Sequence, residues 1–578
     1  MPILQWVGKS KVVNHHYDVP FRLLDKNYTF NATDEASANS VNNRIIQGDN
    51  LEVLKSLLPE FEGKINCIYI DPPYNTGNEG WAYNDAVNDP QIIKWLGQVV
   101  GKEGEDLSRH DKWLCMMYPR LKLLHRLLAD NGVIFVSIDD YEQAALKLLM
   151  DEIFGPRNFV AQVTAVTNLK GRNDKKHISS THEYILIYAN KDFQSVGLPL
   201  TDEQKKAYCH SDENGDMYAL RDLRKRGGPD MREDRPNMYF PIFCSPKSNK
   251  LSLERTSEKD VEILPLRGDG SDGCWRWGID KITAHIDWLH AKKPKKNGRW
   301  GIEHRIYLDP AISVGTSTLE EDEDEDIEED DDVVERSSKP KSFWLGGEFS
   351  TDSGKRAVKA AVPNHKFDYP KSVELVSRCI QMATAKNAII LDSFAGSGTT
   401  AHAVLKLNAK DNGTRQFILC EMMEYAENIT AERVRSVING YGKGKKAVAG
   451  TGGAFDFYTV GAALFNEDKT LNEQVGAEAI RDYVAYTESI PTSKQFGSEN
   501  EISRYALGAT ETALWVFYYE RDRVTTLDLD FLASLNIKNL KGRPEQFVIY
   551  ADKCALDKDF LYKHSITFKR IPRDITRF

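Results

Sequence analysis

Two rhythms of apolar residues alternate along this chain. Ile65 to Ile70 reads INCIYI, a short apolar run that empties into Asp71-Pro72-Pro73-Tyr74, and it predicts a buried strand delivering a loop. Trp113, Met117, Leu121, Leu124 and Leu128 then recur at helical spacing, with a stop expected near Asn131-Gly132. VIFVSI, from Val133 to Ile138, predicts a second buried strand before Asp139-Asp140, and an amphipathic helix is expected from Tyr141 to Phe154, ahead of Gly155-Pro156. The rhythm fades between about 192 and 365 and then returns. Pro370 to Ala383 predicts a helix with proline at its start, AIILD (388–392) a buried strand, SFAGSGTT a glycine loop, Ala401 to Leu407 a helix, and QFILCE (416–421) another strand. Past Gly450-Thr451-Gly452-Gly453 the runs WVFYYE (515–520), EQFVIYAD (545–552) and SITFKRI (565–571) predict strands of a small α/β module. Strands alternating with helices predict an α/β fold built on a parallel sheet.

Composition changes this picture little. At 578 residues the chain exceeds one core, so several domains are expected. It contains no run of 18 apolar residues and begins without the apolar core of a secretory signal, so a cytoplasmic protein with no membrane partner is expected. The eight cysteines are scattered, with no CxxC pair and no histidine at ligand spacing; buried reduced thiols are expected, and no metal. The formal charge of −10 is unevenly placed, because 13 acidic residues lie between Glu320 and Glu335. The remainder holds 73 acidic against 76 basic residues, so the acidic balance excludes no nucleic-acid partner. The acidic run itself reads as a solvated loop.

Two loops carry chemistry. Phe394-Ala395-Gly396-Ser397-Gly398 follows a strand and opens a helix, so its glycines admit a ligand to the backbone and the helix start offers N–H donors. Glu421 ends the next strand, 23 positions after Gly398, where a carboxylate can take ribose hydroxyls. Alone this unit fits NAD, FAD or S-adenosylmethionine, or a turn that serves packing only. It lacks the third glycine of the dinucleotide fingerprint and the lysine of a P-loop. The second loop is Asp71-Pro72-Pro73-Tyr74, in which each proline locks its φ. The Asp71 carboxylate and the Pro72 carbonyl can both accept from an exocyclic amino group, and Tyr74 can stack on a base. An amino nitrogen conjugated to a ring is a poor nucleophile; two acceptors around it favour a tetrahedral nitrogen with its lone pair aimed at an electrophilic methyl.

DPPYNTG ahead of FAGSGTT, with a long stretch between them, resembles the β-group of DNA adenine-N6 methyltransferases, and more narrowly the modification subunit of type III restriction-modification systems. QGDNLEVLKSL (47–57), FVSIDDYE (135–142), HEYILIYAN (182–190), FDYPKSVELVSRCI (367–380) and CEMMEYAENITAERV (420–434) extend the likeness over most of 44–190 and 365–440. The resemblance implies a Rossmann-like S-adenosylmethionine-dependent sheet with an inserted target-recognition domain. The expected organisation is an N-terminal segment (1–43), a catalytic half (44–191), the insertion (192–365, with the acidic loop 319–335), a cofactor-binding half (366–450) and a C-terminal module (451–578) for dimerisation or partner docking. It implies Asp71, Pro72, Pro73 and Tyr74 as the catalytic motif holding a flipped adenine. It implies Asp392, Phe394, Ala395, Gly396, Ser397, Gly398 and Glu421 around the cofactor, Lys371 and Ser372 near its methionine carboxylate, and Asp49 more loosely. Double-stranded DNA would be read by the insertion, where Arg221, Arg224, Lys225, Arg226, Arg232, Arg235, Trp275 and Arg276 mix with Tyr239 and Phe240, and by the basic loop holding Lys170 and Arg172. Any one of these cations also fits a solvated basic face. His182-Glu183 reads as a structural or base-pocket element, and Asp139-Asp140 as a strand-end turn.

Three rival readings stay open. Cytosine-N4 methylation uses the same acceptor geometry, although that group usually carries serine where Asp71 stands. A nucleotide-binding protein that reads nucleic acid without chemistry is a second. A solitary methyltransferase, rather than the partner of a restriction subunit with helicase and nuclease activity, is a third. A homodimer is expected in either context.

Overall fold

A computed structural model describes residues 3–32, 42–75, 109–171, 177–294, 299–309, 337–540 and 544–573, with residues 312 and 542. It divides the chain into two compact units, one of 1–195 with 341–578 and one of 196–340.

The first unit is built on a ten-stranded sheet. Its strands are β1 (Arg22–Asn31), β2 (Arg44–Gln47), β3 (Ile65–Ile70), β4 (Leu128–Ile138), β5 (Phe159–Val166), β6 (His182–Ala189), β7 (Phe343–Trp344), β8 (Ile389–Asp392), β9 (Gln416–Glu421) and β10 (Ala454–Ala463). Their spatial order is β1-β10-β2-β9-β8-β3-β4-β6-β5-β7. The central run from β10 to β4 is parallel throughout, and β1, β6 and β5 add antiparallel neighbours. Parallel interior strands are covered on both faces, which is why β3, β4, β8 and β9 read as nearly unbroken apolar runs. Ile68 and Ile70 pack with the helices α1 (Asn50–Phe61), α2 (Arg109–Leu127) and α3 (Gln143–Phe154). Cys67, on the alternate side of β3, lies near Cys379 of α5 (Val373–Ala383), which follows α4 (Thr351–Ala361) in the chain. The helices α6 (Thr399–Asp411) and α7 (Glu432–Asn439) complete this half.

Several expectations shift. Asn131-Gly132 is not a helix stop: α2 ends at Leu127 and the pair lies in a bulge of β4, where the register slips between Ile65 and Cys67. Pro370 lies outside α5, which starts at Val373 with Ser372 as its N-cap. The helix expected at Ala401–Leu407 runs longer, Thr399–Asp411. The main sheet crosses the boundary expected at 450/451, since β10 pairs with β1 and β2, and the separate unit spans 196–340 rather than 192–365. The acidic loop 319–335 lies outside the described residues.

The three C-terminal runs do form strands, within a four-stranded sheet of β11 (Ala506–Ala509), β12 (Ala513–Phe517), β13 (Gln546–Ala551) and β14 (Ile566–Arg570). Ile480 and Val484 of α8 (Ala477–Thr487) pack with Leu507 and Phe517, while Phe531 packs with Leu514, Val516 and Ile549. Arg573 closes this layer from inside. Its guanidinium donates to both Asp552 oxygens at 2.7 and 2.6 Å and to Glu473 at 2.7 Å, and the Arg573 and Asp552 side chains are 1% and 0% exposed. Arg573→Ala leaves the Asp552 carboxylate buried without its cation, so it is expected to cost about 3–5 kcal/mol. Urea denaturation measures this, and a loss below about 1 kcal/mol, the range of an exposed pair, would refute the assignment.

Candidate active site

Because β2, β9, β8 and β3 run parallel side by side, their C-terminal ends deliver Asp49, Glu421, the Phe394–Gly398 loop and Asp71 to one edge of the sheet. The crevice beyond the carboxyl ends of parallel strands is where such sheets bind ligands. The two loops picked out in the sequence, more than three hundred residues apart, are therefore neighbours.

The glycine loop is held by buried acids. Asp392 accepts the Phe394 N–H at 3.0 Å and the Thr400 hydroxyl at 2.5 Å. Glu421 accepts the Gly396 N–H at 2.8 Å and the Met423 N–H at 3.0 Å. Gly396 and Gly398 have φ of 51° and 78°, the left-handed region that glycine enters without a Cβ penalty. A wide helical turn at Ala426–Ala431 brings the Thr430 hydroxyl onto the Gly396 carbonyl at 2.5 Å. One turn on, the buried Arg433 donates to the Ser397 and Thr399 hydroxyls, each at 2.8 Å. Asp49 caps α1 by accepting the Leu51 N–H, and the neighbouring Asn50 ties the Ser393 carbonyl to Arg120. Ser372 spends its hydroxyl on the α5 cap and the Glu348 carbonyl. Ala395 is buried in the loop backbone.

The second loop is equally fixed. The Pro73 carbonyl accepts the Trp113 indole N–H at 2.6 Å, so that carbonyl is turned toward the core. Asn75 takes a left-handed φ of 59° and donates to Glu142, which also bonds His110 at 2.6 Å. Lys371 bridges two acids: its Nζ lies 3.1 Å from Asp71 Oδ1 and 2.9 Å from Glu183 Oε2, and 4.4 Å from the Tyr74 ring centroid. The Tyr74 hydroxyl donates to that same Glu183 oxygen at 3.1 Å. Glu142, Thr430 and Arg433 were not singled out in the sequence, although they lie within quoted stretches, and Trp113 was read only as part of a helix's apolar face. The Asp139 carboxylate accepts the Tyr141 N–H, as a turn requires.

Burial dominates the electrostatics. It raises Asp392 to about 7, against its bonds to Thr400 and Phe394, and Glu421 to about 7, against three backbone N–H bonds. Burial also raises Asp71, opposed by Lys371 and reinforced by Glu183. Burial alone would lower Lys371, but the two carboxylates outweigh it and hold the ammonium above the usual lysine range.

The residues expected to touch DNA are dispersed. Arg172 lies outside the described residues; Lys170 is exposed beside Asn168. In the second unit Arg221 sits on the strand Met217–Asp222, Arg226 is exposed and pairs with Asp222, and Arg232 pairs with Asp272 at 3.0 Å and lies over the Tyr239 ring. Arg224 lies 3.8 Å from Asp230, and Arg235 and Arg276 are half-buried. Two expectations fail on burial. Trp275 is 1% exposed with its indole N–H on the Phe240 carbonyl, so it is core rather than a stacking platform, and Lys225 is buried at 5%. Among the described residues no cluster of His, Cys, Asp or Glu could hold a metal ion, and no helix is long and apolar enough to cross a membrane.

A family model described as DNA methylase matches residues 65–432. The EcoPI Mod subunit of the type III restriction-modification enzyme from Escherichia phage P1 is 36% identical over 439 residues, 73% of this chain and 63% of its own. The chain thus spans less than two thirds of that relative. The type II methyltransferase M.KpnI of Klebsiella pneumoniae is 31% identical over 69% of this chain and 85% of its own. A solved complex of M1.HpyAVI with SAM aligns with 68% of this chain and 99% of its own at 13% identity and a TM-score of 0.28, too slight a likeness to argue from.

Asp392 and Glu421 also predict a pH dependence. Both titrate near 7 when folded and in the ordinary carboxylate range when unfolded, so between about pH 4 and 7 the folded state binds more protons. The ligand-free protein should lose stability from these groups as pH rises through that window. Melting curves of wild type and the Asp392→Asn, Glu421→Gln double variant should differ in slope there, and parallel curves would show that neither acid is raised.

Proposed function

The chain belongs to the DNA methylase family, and on that premise we propose that it methylates N6 of an adenine flipped out of duplex DNA, using S-adenosyl-L-methionine. The observation that carries this reading is the juxtaposition, on adjacent parallel strands, of the Asp71–Tyr74 loop with the acid-lined glycine loop. Asp71 accepts one N6 hydrogen and the Pro72 carbonyl the other, which draws the nitrogen toward tetrahedral geometry and frees its lone pair. The Tyr74 ring, tied by its hydroxyl to Glu183, offers a face for the base. The donor set of the other loop fits the cofactor: Glu421 suits ribose hydroxyls, Asp392 an ammonium, and the glycines leave room for a chain close to the backbone. When bound, S-adenosyl-L-methionine supplies an activated methyl group. The second unit, where Arg226 and Arg232 are exposed, is the proposed reader of duplex DNA, and Lys170 a proposed contact near the flipped base. The names of the type III relatives support a modification subunit of a restriction-modification system; a cytoplasmic setting, a restriction subunit as partner and a dimer or partner surface on the C-terminal module belong to the same proposal.

The test is to incubate the purified protein with unmethylated DNA and S-adenosyl-L-methionine and to analyse the digested nucleosides by mass spectrometry. N6-methyladenine is expected, and Asp71→Ala should lower its rate at least about 100-fold while cofactor and DNA still bind. N4-methylcytosine would overturn the choice of base, and an Asp71→Ala variant of normal rate would overturn the site.

A further inference from the structure

We propose that Lys371 and Glu183 are positioning residues for the adenine pocket, with Lys371 aiming the Asp71 carboxylate and Glu183 anchoring both Lys371 and Tyr74. This deepens the function proposed above and rests on it. The resemblance to known methyltransferases implied instead that Lys371 serves the methionine carboxylate of the cofactor.

The geometry favours the acceptor side. An ammonium has three donors in a compact head, and here two carboxylates from distant strands lie within 3.1 and 2.9 Å of it. Glu183 stands at the start of β6, Asp71 just after β3, and Lys371 just before α5, so three segments converge on one cation. A single Glu183 oxygen takes both the Lys371 ammonium and the Tyr74 hydroxyl. The ammonium also stands over the face of the Tyr74 ring, an attraction that fixes the ring's tilt. Two of the groups that would touch the base, Asp71 by its carboxylate and Tyr74 by its ring, are therefore tied to this pair.

The charge count gives the pair a purpose beyond packing. Two acids and one cation leave a net charge of −1, which suits an amino nitrogen that becomes positive as it takes the methyl group. Without Lys371, two adjacent buried carboxylates would share a proton, and a protonated Asp71 accepts poorly. The groups facing Asp71 are Lys371 and Glu183, the Tyr69 and Tyr74 phenols, and Asp392 across the crevice. Only Lys371 among them is a cation. Removing it must raise the pH at which Asp71 loses its proton; neutralising Glu183 must lower it.

The experiment measures kcat against pH, with cofactor affinity by calorimetry, for wild type, Lys371→Met, Lys371→Arg and Glu183→Gln. Lys371→Met is expected to lower neutral-pH kcat about 100-fold and to move the acidic limb up by about one pH unit, with cofactor affinity within about 3-fold of wild type. Glu183→Gln should move that limb downward, and Lys371→Arg should restore most of the rate. Limbs that move in opposite directions are not expected of a purely structural role. If Lys371→Met fails to fold, the downward shift in Glu183→Gln still decides. Cofactor affinity lost more than about 10-fold with the limb unmoved would overturn the proposal in favour of a cofactor contact, and limbs shifting together or not at all would overturn it in favour of packing. A wild-type protein that methylates no DNA would overturn the function itself and this inference with it, before any variant is compared.

Discussion

The parallel pairing of Ile390 and Leu391 with Cys67 and Ile68 is the contact on which the site depends. It joins two stretches of chain that share no local sequence relation and sets the ends of β3 and β8 side by side. Parallel pairing makes the result directional: both strands finish at the same edge, so Asp71 and Asp392 emerge together rather than at opposite ends of the sheet. An antiparallel register would bury the same apolar side chains and separate the two loops by the length of a strand. The apolar runs therefore contribute direction as well as stability, and the chemistry inherits its geometry from them.

What could be read from the sequence follows the same logic. INCIYI, VIFVSI, AIILD and QFILCE were legible because interior parallel strands are covered on both faces and carry little else but apolar residues. The strands Arg22–Asn31 and Ala454–Ala463 were not, because they lie toward the outside of the sheet, where exposed positions admit Asp25 and Lys26 and a half-exposed one Asp456. Asn131-Gly132 carried the composition of a helix end and serves as a bulge, a distinction made by the register against β3 and invisible to local chemistry. Trp275 followed the pattern of a base-stacking aromatic because Arg276 stands beside it; burial depends on partners such as Phe240 that spacing does not disclose. Motif residues were legible because their types announce their chemistry. Their supports were not: Lys371 and Glu183 are 188 positions apart, and only the folded chain makes them a pair.

The buried charges divide by what surrounds them, and that division matches the two tasks proposed for the site. Asp392 and Glu421 are ringed by N–H and O–H donors with no cation among their hydrogen-bond partners, and burial leaves them easily protonated. Such acids offer a ligand hydroxyl or ammonium a partner better than the protein itself supplies, so binding a cationic, hydroxyl-rich molecule relieves a cost that folding imposed. Asp71 is different. Burial raises it as well, but it has a cation at 3.1 Å, shared with Glu183, that opposes the rise and favours the charged form. Under the proposed function, a group that only binds can wait for its ligand to favour its charge, whereas a group that acts on a nitrogen during transfer has to be held ready. On this argument the lysine belongs with the acceptor loop, and the glycine loop does without one because its task is to be completed by its ligand.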